Sequence, residues 1–285
     1  MDPVLVRRDG ATARVTLNRP AARNALDLPM CLLLRDAFAA LDGDADVCVV
    51  LLDAAGPVFC AGADLKERQG RDEAWVRGRR LAAFAAYDAI ERCSKPVVAV
   101  AHGAVVGSGG EMALACDFIV ASRAATFRFP EPQWGTVGAT QRLQRAIGKR
   151  RAKEMLFTGR AMPADEAYGL GLVARLADDA AAAADEVAAA IAKAPSLAMA
   201  LTKQAVDLGE EVALATGIRI ELAAIERVLA DGGWRQGVER FAREGGSGAG
   251  GDVGSTRAGS TGAQASAQVG TRAGSLGEGT DGTGA

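Results

Sequence analysis

Apolar residues in the N-terminal part of the chain recur first at every second position and then at helical spacing. Residues 4–20, VLVRRDGATARVTLNRP, alternate on both sides of an Asp-Gly pair, which predicts a β-hairpin. Residues 28–44, LPMCLLLRDAFAALDGD, carry apolar side chains three or four positions apart, which predicts a helix. The apolar run VCVVLLD at residues 47–53 predicts a buried strand. This order of elements is typical of an α/β fold.

The same order of strand, loop and helix repeats further along. The loop AAGPVFCAGADLKE leads to a helix predicted from about Asp72 to Arg92, and VVAVA after Pro96 predicts another buried strand. Each apolar strand is followed by a loop of small residues, FCAGAD at 59–64 and GAVVGSGG at 103–110. Because α/β folds bind ligands at the carboxyl ends of their strands, we expect both loops to line one pocket.

From Lys149 onward the pattern is almost wholly helical and includes an alanine-rich helix near residues 177–193. The pattern predicts a main core over residues 1–194 and a C-terminal helical subdomain over residues 195–244. Residues 245–285 consist mainly of Gly, Ser, Thr and Ala. Such a composition does not supply a packed core, and we expect this tail to be disordered.

Charge and composition narrow the class of partner. Lys and Arg total 33 against 35 Asp and Glu, for a formal net charge of −2, which argues against nucleic acid and anionic membranes as partners. The first ten residues, MDPVLVRRDG, lack the pattern of a secretory signal, and no stretch is long and apolar enough to cross a bilayer. We therefore expect a cytoplasmic protein that binds a small molecule.

The cysteines and the histidine indicate no metal or disulfide chemistry. The five cysteines are odd in number and form no C-x-x-C pair, which predicts neither a disulfide framework nor a zinc site. The single histidine, His102, is a candidate general base, but a lone histidine is more often structural. One histidine also excludes a site built from several histidines.

Two loops and two glutamates carry the candidate chemistry. Small residues at 61–63 and 107–109 leave backbone N–H groups open, and two such loops can donate to one oxygen, as for the enolate of a thioester. A helix is predicted to begin near Gly109, and the partial positive charge at its N-terminus would favour negative charge on the bound oxygen. Glu111 follows directly and Glu131 lies further along, so the two carboxylates are candidates for acid and base. On spacing alone, two glutamates are more often surface groups.

The chain resembles the enoyl-CoA hydratase/isomerase (crotonase) superfamily over residues 4 to about 242. The resemblance implies a crotonase-like α/β fold, a spiral of ββα units that forms a catalytic core over residues 1–194, with a C-terminal helical part that builds homotrimers or homohexamers. The segments that carry it, in order and spacing, are FCAGADLKE, GAVVGSGGEMALACDFIVAS, FRFPEPQWG, TQRLQRAIGKRRAKEMLFTGR and ADEAYGLGLVARL.

The resemblance also implies an activity, the reversible syn addition of water to a trans-2-enoyl-CoA by a carbon–oxygen lyase. The backbone N–H groups of Ala63 and Ser108 would form the oxyanion hole. Glu111 would hold and activate the water while Glu131 exchanges a proton with the α-carbon. Coenzyme A enters as part of the substrate, with no metal or redox cofactor, and residues 65–92 form the acyl wall. The residues placed near coenzyme A are Arg23, Ala25, Ala61, Asp64, Leu65 and Lys66.

Three positions depart from the pattern of the superfamily. Ser108 stands where many relatives have glycine, which narrows the local conformations but keeps the amide donor. Residues 134–143, WGTVGATQRL, form a shorter segment without the usual proline, so we expect a reshaped helix start beside Glu131. Residues 237–246, GVERFAREGG, lack the basic and aromatic finish that helps to hold coenzyme A, so we expect a different affinity or acyl preference.

Other functions fit the residues less well. GSGGEM breaks the dinucleotide-binding pattern G-x-G-x-x-G. A serine hydrolase centred on Ser108 needs G-x-S-x-G, but Val106 occupies the first glycine position. Within the superfamily the alternatives are double-bond isomerisation, which uses one glutamate, and a catalytically silent protein that binds acyl-CoA or RNA. The presence of both glutamates favours hydration.

Overall fold

The chain begins with the predicted hairpin. In the computed structural model, which describes residues 2–243, strand β1 (Val4–Asp9) pairs antiparallel with β2 (Thr12–Leu17). Gly10 adopts a φ of +56° in the turn, a conformation that glycine reaches without the strain of a side chain. The hairpin forms one edge of the larger sheet.

Two sheets are present in the described residues. The larger has the strand order β1-β2-β3-β4-β6-β9, in which all pairs after β1–β2 are parallel, and the smaller has the order β5-β7-β8. The remaining strands are β3 (Val49–Ala54), β4 (Val97–Ala101), β5 (Ala104–Val106), β6 (Phe118–Ser122), β7 (Thr126–Arg128), β8 (Ala161–Pro163) and β9 (Arg175–Ala177).

The structure describes ten α-helices within residues 2–243. Helix α2 confirms its predicted bounds, since Asp72 caps its first turn and Arg92 follows its last residue. The helices are α1 (Leu28–Asp42), α2 (Glu73–Glu91), α3 (Ser108–Ala115), α4 (Thr140–Ile147), α5 (Lys149–Thr158), α6 (Ala164–Gly169), α7 (Ala180–Ile191), α8 (Ser196–Glu210), α9 (Leu214–Asp231) and α10 (Trp234–Arg243).

The parallel sheet is buried on both faces. Its strands β3 and β4 are therefore continuous apolar runs rather than alternating ones. One face packs into the main core with α1 and α2. On the other face Val49, Leu51, Val98 and Val100 pack against α7. The alanines of α7 have small side chains, which let the helix approach the sheet closely.

The prediction of an almost wholly helical region after Lys149 was incomplete. Strands β8 and β9 lie within it, and each has three residues. Strand β5, which the sequence pattern assigned to a loop, pairs with β7 and gives the second sheet. Elements this short lack the length over which alternation of side chains is readable, so they form through pairing with neighbours distant in the chain.

The C-terminal helices pack against each other more than into the core. In α8 only Leu201 is buried, and no residue of α9 is. Residues 1–240 belong to one compact unit, and the sequence-based division at residue 195 stays a prediction. The tail predicted to be disordered, residues 245–285, lies outside the described residues. No helix of the described residues is long and apolar enough to cross a membrane.

Candidate active site

The first small-residue loop is held between two distant segments. Ala63 pairs with Leu26 and Cys60 with Val105 in short parallel bridges. Gly62 lies between them at a φ of +99°, where a Cβ would stand 3.2 Å from the carbonyl oxygen of Val106. Glycine therefore lets the two loops approach, and β5 and the loop after β3 form one wall.

The second loop turns directly into helix α3. Gly107 has a φ of +49° and Ser108 is the first helical residue, one position before the predicted start. A Cβ at Gly109 would lie 2.6 Å from Cβ of Cys60, and one at Gly110 would collide with the ring of Phe129. The glycine run therefore lets the first turn of α3 pack against the loop and strand beside it.

Two backbone amides are open at this point. Among the residues that the structure describes, no oxygen accepts a hydrogen bond from the N–H of Ala63 or of Ser108. Both residues line one cavity. Ser108 also stands at the N-terminal end of α3, where the helix dipole favours negative charge. Open backbone donors of this kind are one requirement of an oxyanion hole.

Glu111 lies in the first turn of α3 and is almost completely buried, with 7% of its surface exposed. One carboxylate oxygen, Oε1, accepts a hydrogen bond of 2.9 Å from the N–H of Ala139, at the start of α4. Burial raises the pKa of Glu111, while this hydrogen bond and the charges of Arg142 and Arg80 oppose the rise. The other oxygen, Oε2, forms no hydrogen bond with the described residues.

Glu131 faces the same cavity from the segment after β7. Its Oε2 is buried without a hydrogen-bond partner among the described residues. A Cβ at Gly107 would lie 2.7 Å from Oε1, and one at Gly138 would lie 2.8 Å from Cγ. Burial raises the pKa of Glu131 to about 6, and the charge of Glu111 adds to the rise. Two glycines thus make room for a carboxyl that is readily protonated.

The shortened segment after Glu131 takes a defined course. Arg80 of α2 donates from Nη1 to the hydroxyl of Thr136 at 2.5 Å and from Nη2 to the carbonyl of Val137. Ala139 adopts a φ of +55°, which is uncommon for a residue with a side chain. At this helix start the left-handed Ala139 donates its N–H to Oε1 of Glu111, and the reshaping relative to the superfamily stays a prediction.

The cavity between these elements has a volume of about 100 Å³. Leu65, Trp134 and Thr136 also line it, as do Arg68 and Arg80. The larger grooves of the described residues lie elsewhere. The four residues expected at the reacting centre, Ala63, Ser108, Glu111 and Glu131, all line it. The tertiary structure therefore brings together the two loops and the two carboxylates.

The residues expected near coenzyme A divide into two groups. Ala61 and Leu65 line the cavity. Arg23, Ala25 and Lys66 do not line it, and Arg23 and Lys66 are exposed. Asp64 forms an ion pair of 3.1 Å with Arg19, so its carboxylate also has a structural partner.

Sequence reasoning missed several residues that build the site. The side chain of Asn24, which is fully buried, donates to the carbonyls of Ala55 and Val58 and so holds the start of the first loop. Burial and then the charge of Glu111 raise the pKa of the Tyr87 phenol, which also lies beside Ser108. Arg80 and Ala139 act through contacts between residues far apart in the chain, so no local pattern indicated them.

The histidine and the cysteines lie outside this chemistry. His102 bonds through Nε2 to the carbonyl of Gly56 at 2.9 Å and does not line the cavity. All five cysteines are free. In the described part of the chain no group of three or more His, Cys, Asp or Glu is placed to hold a metal ion.

Comparison with known proteins agrees with the fold. The model of the enoyl-CoA hydratase/isomerase family matches residues 7–246. The chain belongs to this family, and its fold is the crotonase fold. This membership excludes the dinucleotide-binding and serine-hydrolase alternatives as descriptions of the fold.

Similar proteins cover nearly the whole family region. The probable enoyl-CoA hydratase of Rhizobium meliloti is 36% identical over 84% of this chain and 95% of its own length. The putative enoyl-CoA hydratase/isomerase YngF of Bacillus subtilis is 38% identical over 80% and 90%. The crystal structure of enoyl-CoA hydratase from Bacillus anthracis is 34% identical and superposes with a TM-score of 0.83, covering 85% of this chain and 96% of that one.

Proposed function

We propose that the protein is an enoyl-CoA hydratase that adds water reversibly to a trans-2-enoyl-CoA and forms a 3-hydroxyacyl-CoA. The observation that carries the proposal is a pair of carboxylates, the buried Glu111 and the half-buried Glu131, in one cavity with two open amides. The similar proteins named as enoyl-CoA hydratases support it. A related putative enoyl-CoA hydratase from Thermobifida fusca, with a TM-score of 0.75 and 29% identity, was solved in complex with CoA.

The thioester carbonyl accepts hydrogen bonds from the N–H groups of Ala63 and Ser108. These donors stabilise the enolate that develops on the oxygen, and loss of one such donor typically costs about 100- to 1000-fold in turnover. The open state of both amides and the position of Ser108 at the start of α3 support this assignment. Because they are backbone groups, the serine side chain at position 108 does not affect the donor.

The two carboxyls divide the proton transfers. Glu111, fixed through Oε1 by Ala139, uses Oε2 to hold the water and take its proton, while the hydroxyl adds to the β-carbon. Glu131 delivers a proton to the α-carbon. A proton then returns from Glu111 to Glu131, and water has been added across the double bond with no net change in the enzyme. The carboxyl groups and the amides complete this cycle, so we propose that it uses no metal or redox cofactor.

The cycle starts from a pair of carboxyls that shares one proton. Since burial raises the pKa of Glu131 to about 6, kcat/KM falls as the pH rises through this value and the pair loses its proton. It also falls in acid, when Glu111 becomes protonated. We expect a bell-shaped pH profile whose two apparent pKa values belong to the pair.

The proposal is tested by following the loss of enoyl-thioester absorbance with a series of trans-2-enoyl-CoAs. Glu111→Gln and Glu131→Gln should each lose about 100- to 10,000-fold in turnover, as expected for general acid–base catalysis. Glu73→Gln, at an exposed pair with Arg77, is the matched control and should keep full activity.

Two other outcomes would replace the proposal. Activity that survives one of the two substitutions, together with migration of a double bond, would identify an isomerase. A wild-type protein that binds acyl-CoA without turnover would be a silent homologue. The presence of both carboxylates in one cavity favours hydration over either.

We also propose that the chain forms homotrimers or homohexamers. Apolar side chains on α9 remain about half exposed, among them Ile218, Leu222 and Ile225. Between α8 and α9 lies a largely apolar groove of about 510 Å³. A contiguous apolar surface of this kind marks an interface. Partners of other classes are disfavoured by the net charge of −2, and cytoplasmic localisation stays a prediction.

A further inference from the structure

Two arginines, Arg68 and Arg80, line the cavity together with the catalytic carboxylates. Within the described residues neither forms an ion pair with a carboxylate. Arg79, their neighbour, differs from both, since it is buried and pairs with Glu67 at 2.5 Å. The two arginines therefore bring positive charge into the cavity that no ion pair within the described residues neutralises.

The guanidinium of Arg68 has fewer polar contacts than that of Arg80. Arg80 bonds to the hydroxyl of Thr136 and the carbonyl of Val137, whereas the side chain of Arg68 has no hydrogen-bond partner among the described residues. Its Nε is buried. A buried donor without a partner is unfavourable, and more so when it is charged. Burial, followed by the charges of Arg79 and Arg80, lowers the pKa of Arg68.

The catalytic carboxylates do not serve as the partners of Arg68. Of the two cavity arginines, only Arg80 lowers the pKa values of Glu111 and Glu131. The pKa of Glu131 nevertheless lies at about 6. A direct ion pair with Arg68 would instead favour the ionised form of Glu131. The cavity thus holds a guanidinium that forms no ion pair with the described residues, together with a carboxyl that stays readily protonated.

We infer that Arg68 binds an anionic group at the far end of the acyl chain, so that the substrate class is the CoA monothioesters of short unsaturated dicarboxylic acids. This inference rests on the proposed function, which places the thioester at the amides of Ala63 and Ser108. A guanidinium matches a carboxylate with two parallel hydrogen bonds. The cavity of about 100 Å³ suits a short acyl group, and Arg80 adds a second positive charge to its wall.

Coenzyme A itself carries phosphates, which a guanidinium also binds. A phosphate bound by Arg68 would make this residue important for every CoA ester and for free CoA. A carboxylate of the acyl group would make it important only for the dicarboxylic substrates. The two sources therefore give different patterns across a matched set of ligands.

The kinetic test compares trans-2-pentenoyl-CoA with the CoA monothioester of trans-2-pentenedioic acid, which has a carboxylate in place of the terminal methyl group. The wild-type kcat/KM should be about 10- to 100-fold higher for the dicarboxylic substrate. Arg68→Met should remove this preference by lowering only that value. Arg71→Met is the control, because Arg71 is exposed and stacks on Trp75, and it should keep the preference.

Binding of saturated thioesters, which cannot react, separates this inference from the proposed function. In calorimetry, Arg68→Met should weaken the binding of pentanedioyl-CoA by about 10- to 100-fold. The binding of pentanoyl-CoA and of free CoA should not change. If that pattern appears without hydration of any substrate, the hydratase function fails and the site assignment stands. Equal weakening of all three ligands, or no wild-type preference for the dicarboxylic ester, would overturn the inference.

Discussion

The first turn of α3 and the C-terminal helix pair α8–α9 both contain small residues, but they differ in packing. The first turn of α3 is tightly packed, whereas α8 and α9 are largely exposed. Around α3, an added Cβ at Gly107, Gly109 or Gly110 would meet another atom at 2.7 Å or less. In α9 no residue is buried. The chain's own atoms pack closely around the cavity, whereas the apolar side chains of α9 are left exposed. We therefore expect single added atoms to disturb the cavity, and substitutions on α9 to act on the proposed assembly.

The largest effect should come from adding one methyl group beside Glu131. Gly107→Ala forces a side chain at a φ of +49° and places Cβ 2.7 Å from Oε1 of Glu131. Displacement of a catalytic group by about 1 Å costs on the order of 100-fold, and we expect that loss in kcat for hydration.

The control for this prediction is a glycine with open space. Gly78 in α2 has no atom within 4 Å of an added Cβ, so Gly78→Ala should retain activity and raise the free energy of unfolding by about 0.5–1 kcal/mol. Equal activity of the two variants would show that Gly107 is not required to position Glu131.

The next effect concerns the free energy of unfolding, because the burial of the ionised Glu131 carboxyl lowers it. The carboxyl pKa of Glu131 rises from 4.5 to about 6 on folding, so the native state binds more protons between these values and loses stability as the pH rises through them. Glu131→Gln removes this cost. Urea unfolding should show the variant more stable by about 2 kcal/mol at pH 7, with no such difference well below pH 4.5. A variant less stable than wild type at pH 7 would contradict this.

A smaller effect is expected from Arg80, which holds the shortened segment after Glu131. Arg80→Met removes its hydrogen bonds to Thr136 and Val137 and loosens the N–H of Ala139 that fixes Glu111. We expect kcat to fall about tenfold, since a hydrogen bond to a charged group contributes about 1.5–3 kcal/mol. Binding of free CoA should not change. The control is Arg77→Met, which breaks only an exposed pair with Glu73; a loss of similar size there would refute a specific role for Arg80.

The smallest change in the free energy of unfolding of the separated chain is expected from a substitution in α9. Ile225 is 45% exposed, so Ile225→Glu should change the free energy of unfolding of the separated chain by less than about 0.5 kcal/mol. Sedimentation velocity should show a loss of trimers or hexamers. Leu201→Ala, at the buried position of α8, should instead destabilise the chain by about 2–5 kcal/mol. Unchanged assembly of the Ile225 variant would place the interface elsewhere.

Long periodic elements and local chemistry were readable from the sequence. The hairpin follows from alternation around Asp9 and Gly10, and α2 begins at Glu73, directly after its capping residue Asp72. The motifs also identified Glu111 and Glu131, and the structure places both in one cavity. Spacing alone left these glutamates as ordinary surface residues, because their separation along the chain says nothing about their separation in space.

The amino-acid sequence by itself determined the order of the main strands and helices, the apolar strands of the sheet and the glycine positions, since these depend on local propensity and periodicity. Only the tertiary structure decided that Arg68 has no hydrogen-bond partner within residues 2–243, that Arg80 holds Thr136, and that the amide of Ala139 reaches Glu111. Those properties depend on which distant residues meet and on how much water the fold removes. Burial and neighbouring charge set the pKa of a carboxyl, and both arise only when the chain has folded.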